Sequence, residues 1–262
     1  MSRIESAFRA RTGKGQKAFA AFLTAGDPSL AATEEFILTL AENGADVVEI
    51  GVPFSDPAAD GPVIQRANLR GAASGTTIHG VFDMLARVRT RSEVALVFLL
   101  YANIVQSYGI PAFFAKCRET GVDGVIIADV PFEEEGEFAA AAEENGVDLI
   151  RLLAPTSRER TERIIRDAKG FLYCVSSLGV TGERGDVSAY LESMTAPLRG
   201  VCPIPTAIGF GIGTPEQAKE AAQYADGAII GSAIVKLIEK HGANAAPHLA
   251  DFAGAVRAAL DA

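Results

Sequence analysis

The chain has 262 residues, 48% of them hydrophobic, a net charge of −9 at neutral pH and three cysteines. That length suits one barrel of about 250 residues better than two small domains, so a single catalytic domain over 1–262 is expected. The acidic balance argues against nucleic acid and against membranes as partners, and the odd, unpaired cysteines (Cys117, Cys174, Cys202) point to a reducing compartment without a structural metal site.

In chain order, the first segment (4–11) reads as an extra helix capping one end of the fold. Arg3, Arg9, Arg11, Lys14 and Lys17 then precede the apolar run 18–25, a loose imitation of a signal peptide that breaks too soon, at Gly26-Asp27-Pro28. No stretch reaches the roughly 18 apolar residues of a membrane span, and a cytoplasmic location is the expectation. Continuously apolar runs, as in parallel strands buried on both faces, fall at 18–23, 47–50, 96–100, 124–128, 149–153, 171–175, 206–210 and 228–230. Helical stretches alternate with them at 29–43, 78–89, 110–119, 133–144 and 158–168, and a closing one lies at 243–260. Several should end on a glycine: Gly44, Gly121, Gly146 and Gly170. Eight such units give a parallel sheet, and eight is the number that closes into a (β/α)8 TIM barrel, although an open doubly wound sheet remains the alternative.

In a barrel, function sits at the C-terminal ends of the strands. Glu49 interrupts a buried strand near that end, and alternation puts it with Val47 on the inward face. An unpaired buried carboxylate is expensive, so Glu49 is either half of an ion pair or functional, and no basic residue stands at the neighbouring strand ends. Asp60 follows on a proline-stiffened loop, just before Gly61-Pro62, where an Asp serves more often as an N-cap than as a catalyst. After the last two strands come glycine turns: Gly209-Phe210-Gly211-Ile212-Gly213 and Gly231-Ser232. These are either ordinary tight turns or the phosphate site that barrels build from their seventh and eighth loops.

Together these segments resemble the tryptophan synthase alpha subunit family along nearly the whole chain. The resemblance rests on Phe22-Leu23-Thr24-Ala25-Gly26-Asp27-Pro28, on the run from Glu49 through Gln65, on Leu99-Leu100-Tyr101-Ala102-Asn103, on Ala128-Asp129-Val130-Pro131, on Gly179-Val180-Thr181-Gly182 and on Gly231-Ser232-Ala233-Ile234-Val235. It implies a lyase that splits indole-3-glycerol phosphate, with Glu49 and Asp60 as catalytic carboxylates. Phe22, Leu99, Tyr101, Ile126, Tyr173 and Ile229 would line the substrate pocket, with Thr181 on a loop that closes over it. Gly182, Phe210, Gly211, Gly231 and Ser232 would hold the phosphate. From position alone, Phe22, Leu99 and Ile126 read as packed core rather than pocket, because barrel interiors are filled. The family further implies a beta-subunit partner in an alpha2-beta2 complex, carrying pyridoxal phosphate that this chain itself does not need. Pro53, Phe54, Asp56, Asp129 and Pro131 are the expected interface, with Phe54 exposed as its anchor. Ser177 stands where some relatives carry Arg. Another phosphate-binding barrel lyase or isomerase, and a non-catalytic scaffold that activates a partner, are the rival readings.

Overall fold

The computed structural model describes residues 2–175, 187–209 and 211–262. Nine strand segments form one parallel sheet: β1 (Ala18–Thr24), β2 (Val47–Gly51), β3 (Ala95–Leu100), β4 (Gly124–Ile127), β5 (Asp148–Leu149), β6 (Leu152–Leu153), β7 (Leu172–Val175), β8 (Thr206–Gly209) and β9 (Gly227–Ile230). Their order is β5-β4-β3-β2-β1-β9-β8-β7-β6. The two ends of that order are consecutive in the chain, separated only by Ile150 and Arg151. The Ile150 N–H donates to the Val125 carbonyl at 2.9 Å, and the Tyr173 N–H donates to the Arg151 carbonyl at 3.0 Å. One stretch therefore bridges both edges and closes the ring, as expected of a barrel rather than an open sheet. The fifth expected strand is present as two short pieces. At the break, the Arg151 guanidinium reaches the helical layer, where it bonds Glu135 and the Ile164 carbonyl (2.6 Å).

Side chains alternate in and out along each strand. Ala18, Ala20, Val47, Ala95, Val97, Ala207 and Ile229 fill the interior, while Phe19, Leu23, Val48, Ile50, Leu96 and Phe98 pack outward into the larger core under the helices. The bottom of the barrel is plugged by the helix Arg3–Thr12, whose Ile4 and Phe8 are fully buried in the inner cluster, with Phe8 stacked on Phe171 at 5.4 Å. Glycine makes room for this plug. A Cβ at Gly124 would lie 2.9 Å from Ile4 Cδ1, and one at Gly227 only 3.1 Å from Phe8 Cε1. The extra N-terminal helix is thus present and sits where the sequence placed it.

Two helix ends differ from expectation. Gly170 is not a cap: the helix Arg158–Arg166 ends at Asp167, and Gly170 (φ +68°) turns the chain afterwards. The segment expected as one helix from 133 begins as a single 3-10 turn, Phe132–Glu134, before the helix Gly136–Asn145. Among the described residues no helix is long and apolar enough to cross a membrane.

Candidate active site

Glu49 occupies the inward face of β2 and is fully buried. Neither carboxylate oxygen has a hydrogen-bond partner among the described residues, which removes the structural ion pair as its explanation. Burial alone pushes its pKa from 4.5 up to about 8, because the charged form has lost water and gained nothing in exchange.

Asp60 reaches the same region from the loop after β2. It is not a helix cap: the helix Pro62–Ala73 has Gly61 at its N-cap, with no side-chain bond there. Instead Asp60 Oδ2 accepts a hydrogen bond from Asn68 Nδ2 at 3.1 Å. The Tyr101 hydroxyl donates to the same carboxylate, while accepting from the Ala59 N–H at 3.1 Å. Burial raises the Asp60 pKa, and these two donors oppose the rise. The contrast between the carboxylates lies in their partners. Both are desolvated, but only Asp60 has donors that favour its ionised form.

The aromatic walls are set by glycines on the adjoining strand ends. A Cβ at Gly51 would stand 2.7 Å from Phe22 Cζ, and one at Gly209 would stand 2.6 Å from Tyr173 Cε1. The buried Tyr173 hydroxyl is held well above its usual pKa by burial and then by the charges of Glu49 and Asp60, so all three groups share one neighbourhood. Asp60, Leu99 and Tyr173 are walls shared by two adjoining cavities, whose linings among the described residues do not include Glu49. The larger, about 450 Å³, extends past Ala128 toward Asp129, Pro131 and Phe132. The smaller, about 80 Å³, adds Phe22, Ile64 and Ile229, and ends at Gly211, Gly231 and Ser232. That end faces the start of the helix Ser232–His241, whose N-cap Gly231 makes no side-chain cap bond. The first backbone N–H groups of a helix have no partner within it, and such an end suits an anion.

Phe22, Leu99, Tyr173 and Ile229 therefore meet around Asp60, and Tyr101 joins them through its hydroxyl. Ile126, paired in register with Leu99, is fully buried in the interior rather than on a cavity wall. Thr181, Gly182, Phe210 and Ser177 lie outside the described residues. The expectation of an exposed Phe54 is corrected. Its ring is half-buried and stacks on Tyr101, with centroids 4.9 Å apart and planes at 21°, since an aromatic ring on a short loop gains more from burial than from solvent. Asp56, Asp129 and Pro131 are exposed, and Asp129 also accepts a hydrogen bond from the Ala102 N–H at 2.8 Å. Pro53 is half-buried and packs close to Gly71, where a Cβ would sit 2.7 Å from its Cγ.

Sequence reasoning missed Asn68. It shares the buried stripe of its helix with Ala67 and Gly71, and one polar residue among small buried ones is the signal that could have found it.

Residues 8–261 match the family model for the tryptophan synthase alpha chain. The chain belongs to that family. It is 48% identical to the tryptophan synthase alpha chain of Geobacter sulfurreducens, over 99% of each chain, and 45% identical to that of Lacticaseibacillus casei, over 100% of this chain and 97% of the relative. Among solved structures it is similar to tryptophan synthase subunit alpha from Legionella pneumophila, with a TM-score of 0.91 and 33% identity over 100% and 99% of the two chains. A structure of Mycobacterium tuberculosis tryptophan synthase also superposes, with a TM-score of 0.91 and 31% identity over 100% and 99%. The chain is a lyase of tryptophan biosynthesis, and its reaction is the alpha reaction, cleavage of indole-3-glycerol phosphate to indole and glyceraldehyde 3-phosphate. That membership sets aside the other barrel lyases and isomerases and the inert scaffold.

Proposed function

We propose that Glu49 is the general acid–base of this cleavage and Asp60 its electrostatic partner. Indole C3 is a poor carbanion, so the bond to the glycerol chain cannot simply break toward the ring. Protonation at C3 first produces an indolenine cation. Removal of the proton from the adjacent chain hydroxyl then lets the aldehyde form, and the electrons of the breaking carbon–carbon bond return to the ring. One proton enters at C3 and one leaves the hydroxyl. Glu49, held largely protonated at neutral pH, supplies the first and takes up the second. Asp60 carries the negative charge that the cationic ring N–H requires. The observation behind this reading is the pair itself: a buried carboxyl with no partner among the described residues, and a second one provided with two donors, both acting on the Tyr173 hydroxyl. Asp60→Asn should lower indole release by at least about 100-fold while the variant melts near the wild-type temperature. Turnover of indole-3-glycerol phosphate by the purified proteins is the measurement, and a loss below threefold would remove Asp60 from the mechanism.

We further propose that Leu99, Tyr101, Tyr173, Phe22 and Ile229 surround the indole, with Ile126 supporting them from beneath. The phosphate lies at Gly211, Gly231 and Ser232. Gly211 has φ +82°, a conformation that β-branched residues resist, and any side chain there would hold the anion away from the backbone donors. Gly211→Val should therefore weaken binding of a glycerol-phosphate analogue by about tenfold or more, whereas truncating Ser232 should matter little. Normal binding by Gly211→Val would move the phosphate elsewhere.

Indole is small and apolar, and its escape would waste it. The family supports a beta-subunit partner, joined in an alpha2-beta2 complex in the cytoplasm, whose own pyridoxal phosphate serves the condensation of indole with serine. The exposed Asp56, Asp129 and Pro131 border the loop that carries Asp60, with Pro53 and the inward-stacked Phe54 bracing it. A partner that fixes this loop would raise the population of the competent state without touching substrate. Titrating the beta subunit against indole release should show activation by about tenfold or more, and a weaker effect for Asp56→Ala. A flat titration would reject the coupling, and equal activation of both proteins would move the contact away from Asp56.

A further inference from the structure

We propose that Asn68 is a positioning residue for the alpha reaction, one buried amide that both orients the Asp60 carboxylate and fastens the loop that carries it. The inference rests on the catalytic reading of Asp60 given above. Asn68 is 5% exposed on the helix Pro62–Ala73. Its Nδ2 donates to Asp60 Oδ2 at 3.1 Å, and its Oδ1 accepts from the Phe54 N–H at 3.3 Å. A single side chain thus holds the loop near both of its ends. An amide is suited to this because it carries a donor and an acceptor side by side on a short stem. A leucine of similar size offers neither, and an ionised aspartate could still accept from Phe54 but could not donate to Asp60.

The helix beneath Asn68 is itself pinned. Two residues further on, Arg70 donates to both oxygens of Asp27, at 2.8 and 2.7 Å, and Asp27 is only 2% exposed in the turn after β1. The same guanidinium reaches Glu239, at 3.1 Å, on the helix that starts at Ser232. Gly71 lies so close to the end of β1 that a Cβ would stand 2.6 Å from the Ala25 carbonyl. Asn68 is therefore fixed relative to the barrel, so a bond to it fixes Asp60 relative to the substrate cavity. The direction of the bond matters as well as its position. A donated N–H favours the ionised carboxylate, the state the cationic ring requires, in a place where burial favours the neutral one.

A double-mutant cycle on kcat tests this, with Asn68→Leu and Asp60→Asn made singly and together. Asn68→Leu should lower kcat by about 10- to 100-fold with KM changed less than about threefold. In the Asp60→Asn background, the same change should alter kcat by less than about twofold, because its means of action is already gone. The acid limb of the kcat profile provides an independent readout. Asp60 faces Tyr101 beyond β3 and Tyr173 from β7, and Glu49 on β2 acts on the same Tyr173 hydroxyl; all three remain in the variant. Loss of the amide donor raises the Asp60 pKa further, so activity should disappear at a higher pH as the solution is acidified, by about one unit. Where Asn68→Leu does not fold, Asn68→Asp serves, since it keeps the shape and the Phe54 bond. Its acid limb should move up by more, because a second carboxylate then faces the first. A slow Asp60→Asn enzyme in which the Asn68 change still exacts its full factor, or an unmoved acid limb, overturns the proposal alone. A wild-type rate in Asp60→Asn overturns the catalytic reading and the proposal with it.

Discussion

Glu49→Gln should turn over indole-3-glycerol phosphate at least about a thousandfold more slowly than the wild type, while binding a glycerol-phosphate analogue within about threefold. The substitution keeps the size and the hydrogen-bonding outline of a protonated glutamate and removes only its ability to exchange a proton. Because the side chain is fully buried and has no hydrogen-bond partner among the described residues, little else depends on it. A loss confined to kcat would mark an interaction made in the transition state and not in the ground state. The wild-type pH profile should carry the same signature. With the Glu49 pKa at about 8, the acid form that protonates indole C3 dominates at neutral pH, so kcat should fall as pH rises through that value. Stopped-time assays of indole release from pH 6 to 9.5 would show it. More than about a tenth of wild-type kcat in Glu49→Gln would end the acid–base assignment.

Glu49 was legible in the sequence because it breaks two rules at once, a charge in a continuously apolar strand and on the inward face of that strand. The barrel was legible for a related reason. Strand periodicity and helix-capping glycines are local signals, and Gly121 and Gly146 do adopt the left-handed caps expected of them, with φ +74° and +65°. What the sequence did not display depends on contacts between distant segments. The fifth strand splits at Arg151, whose partners Glu135 and Ile164 come from two different helical segments, and no local pattern announces that meeting. Phe54 reads as an exposed anchor only until Tyr101, 47 positions away, is found stacked upon it. Asp60 reads as a helix cap because caps are chosen by neighbours in sequence, whereas its actual donors, Asn68 and Tyr101, come from the next helix and the end of β3. Asn68 gave only the faint signal of one polar residue on a stripe of small ones, because its importance lies in the two bonds it makes and not in its spacing.

The second large effect concerns stability, and it has the opposite sign from the loss of activity. Glu49→Gln should be more resistant to unfolding than the wild type at alkaline pH, by roughly 3–5 kcal/mol at pH 9, yet nearly equal to it at pH 4.5. In the unfolded chain the carboxyl ionises at its ordinary 4.5; in the folded barrel it ionises at about 8. Between those values the folded state holds a proton that the unfolded state has released. Stability therefore falls as pH rises through this window, and it changes no further on this account above it. The direction is the reverse of a salt-bridged carboxylate, whose contribution is lost on acidification. Glutamine has no such proton, so its curve lacks the slope, and the other carboxylates titrate alike in both proteins and cancel in the difference. In a chain of this length the gap corresponds to a rise in melting temperature of about 6–12 °C at pH 9. Urea or thermal unfolding of the two proteins at pH 5, 7 and 9 would measure it. The required result is a difference that grows with pH; a constant difference, or a wild type more stable at pH 9, would show that Glu49 is solvated or paired in the folded protein. The two experiments are linked by one cause. The desolvation that keeps Glu49 protonated for catalysis at neutral pH is the same desolvation that weakens the barrel once that proton is lost, so a residue improved for stability at this position should be a residue that no longer releases indole.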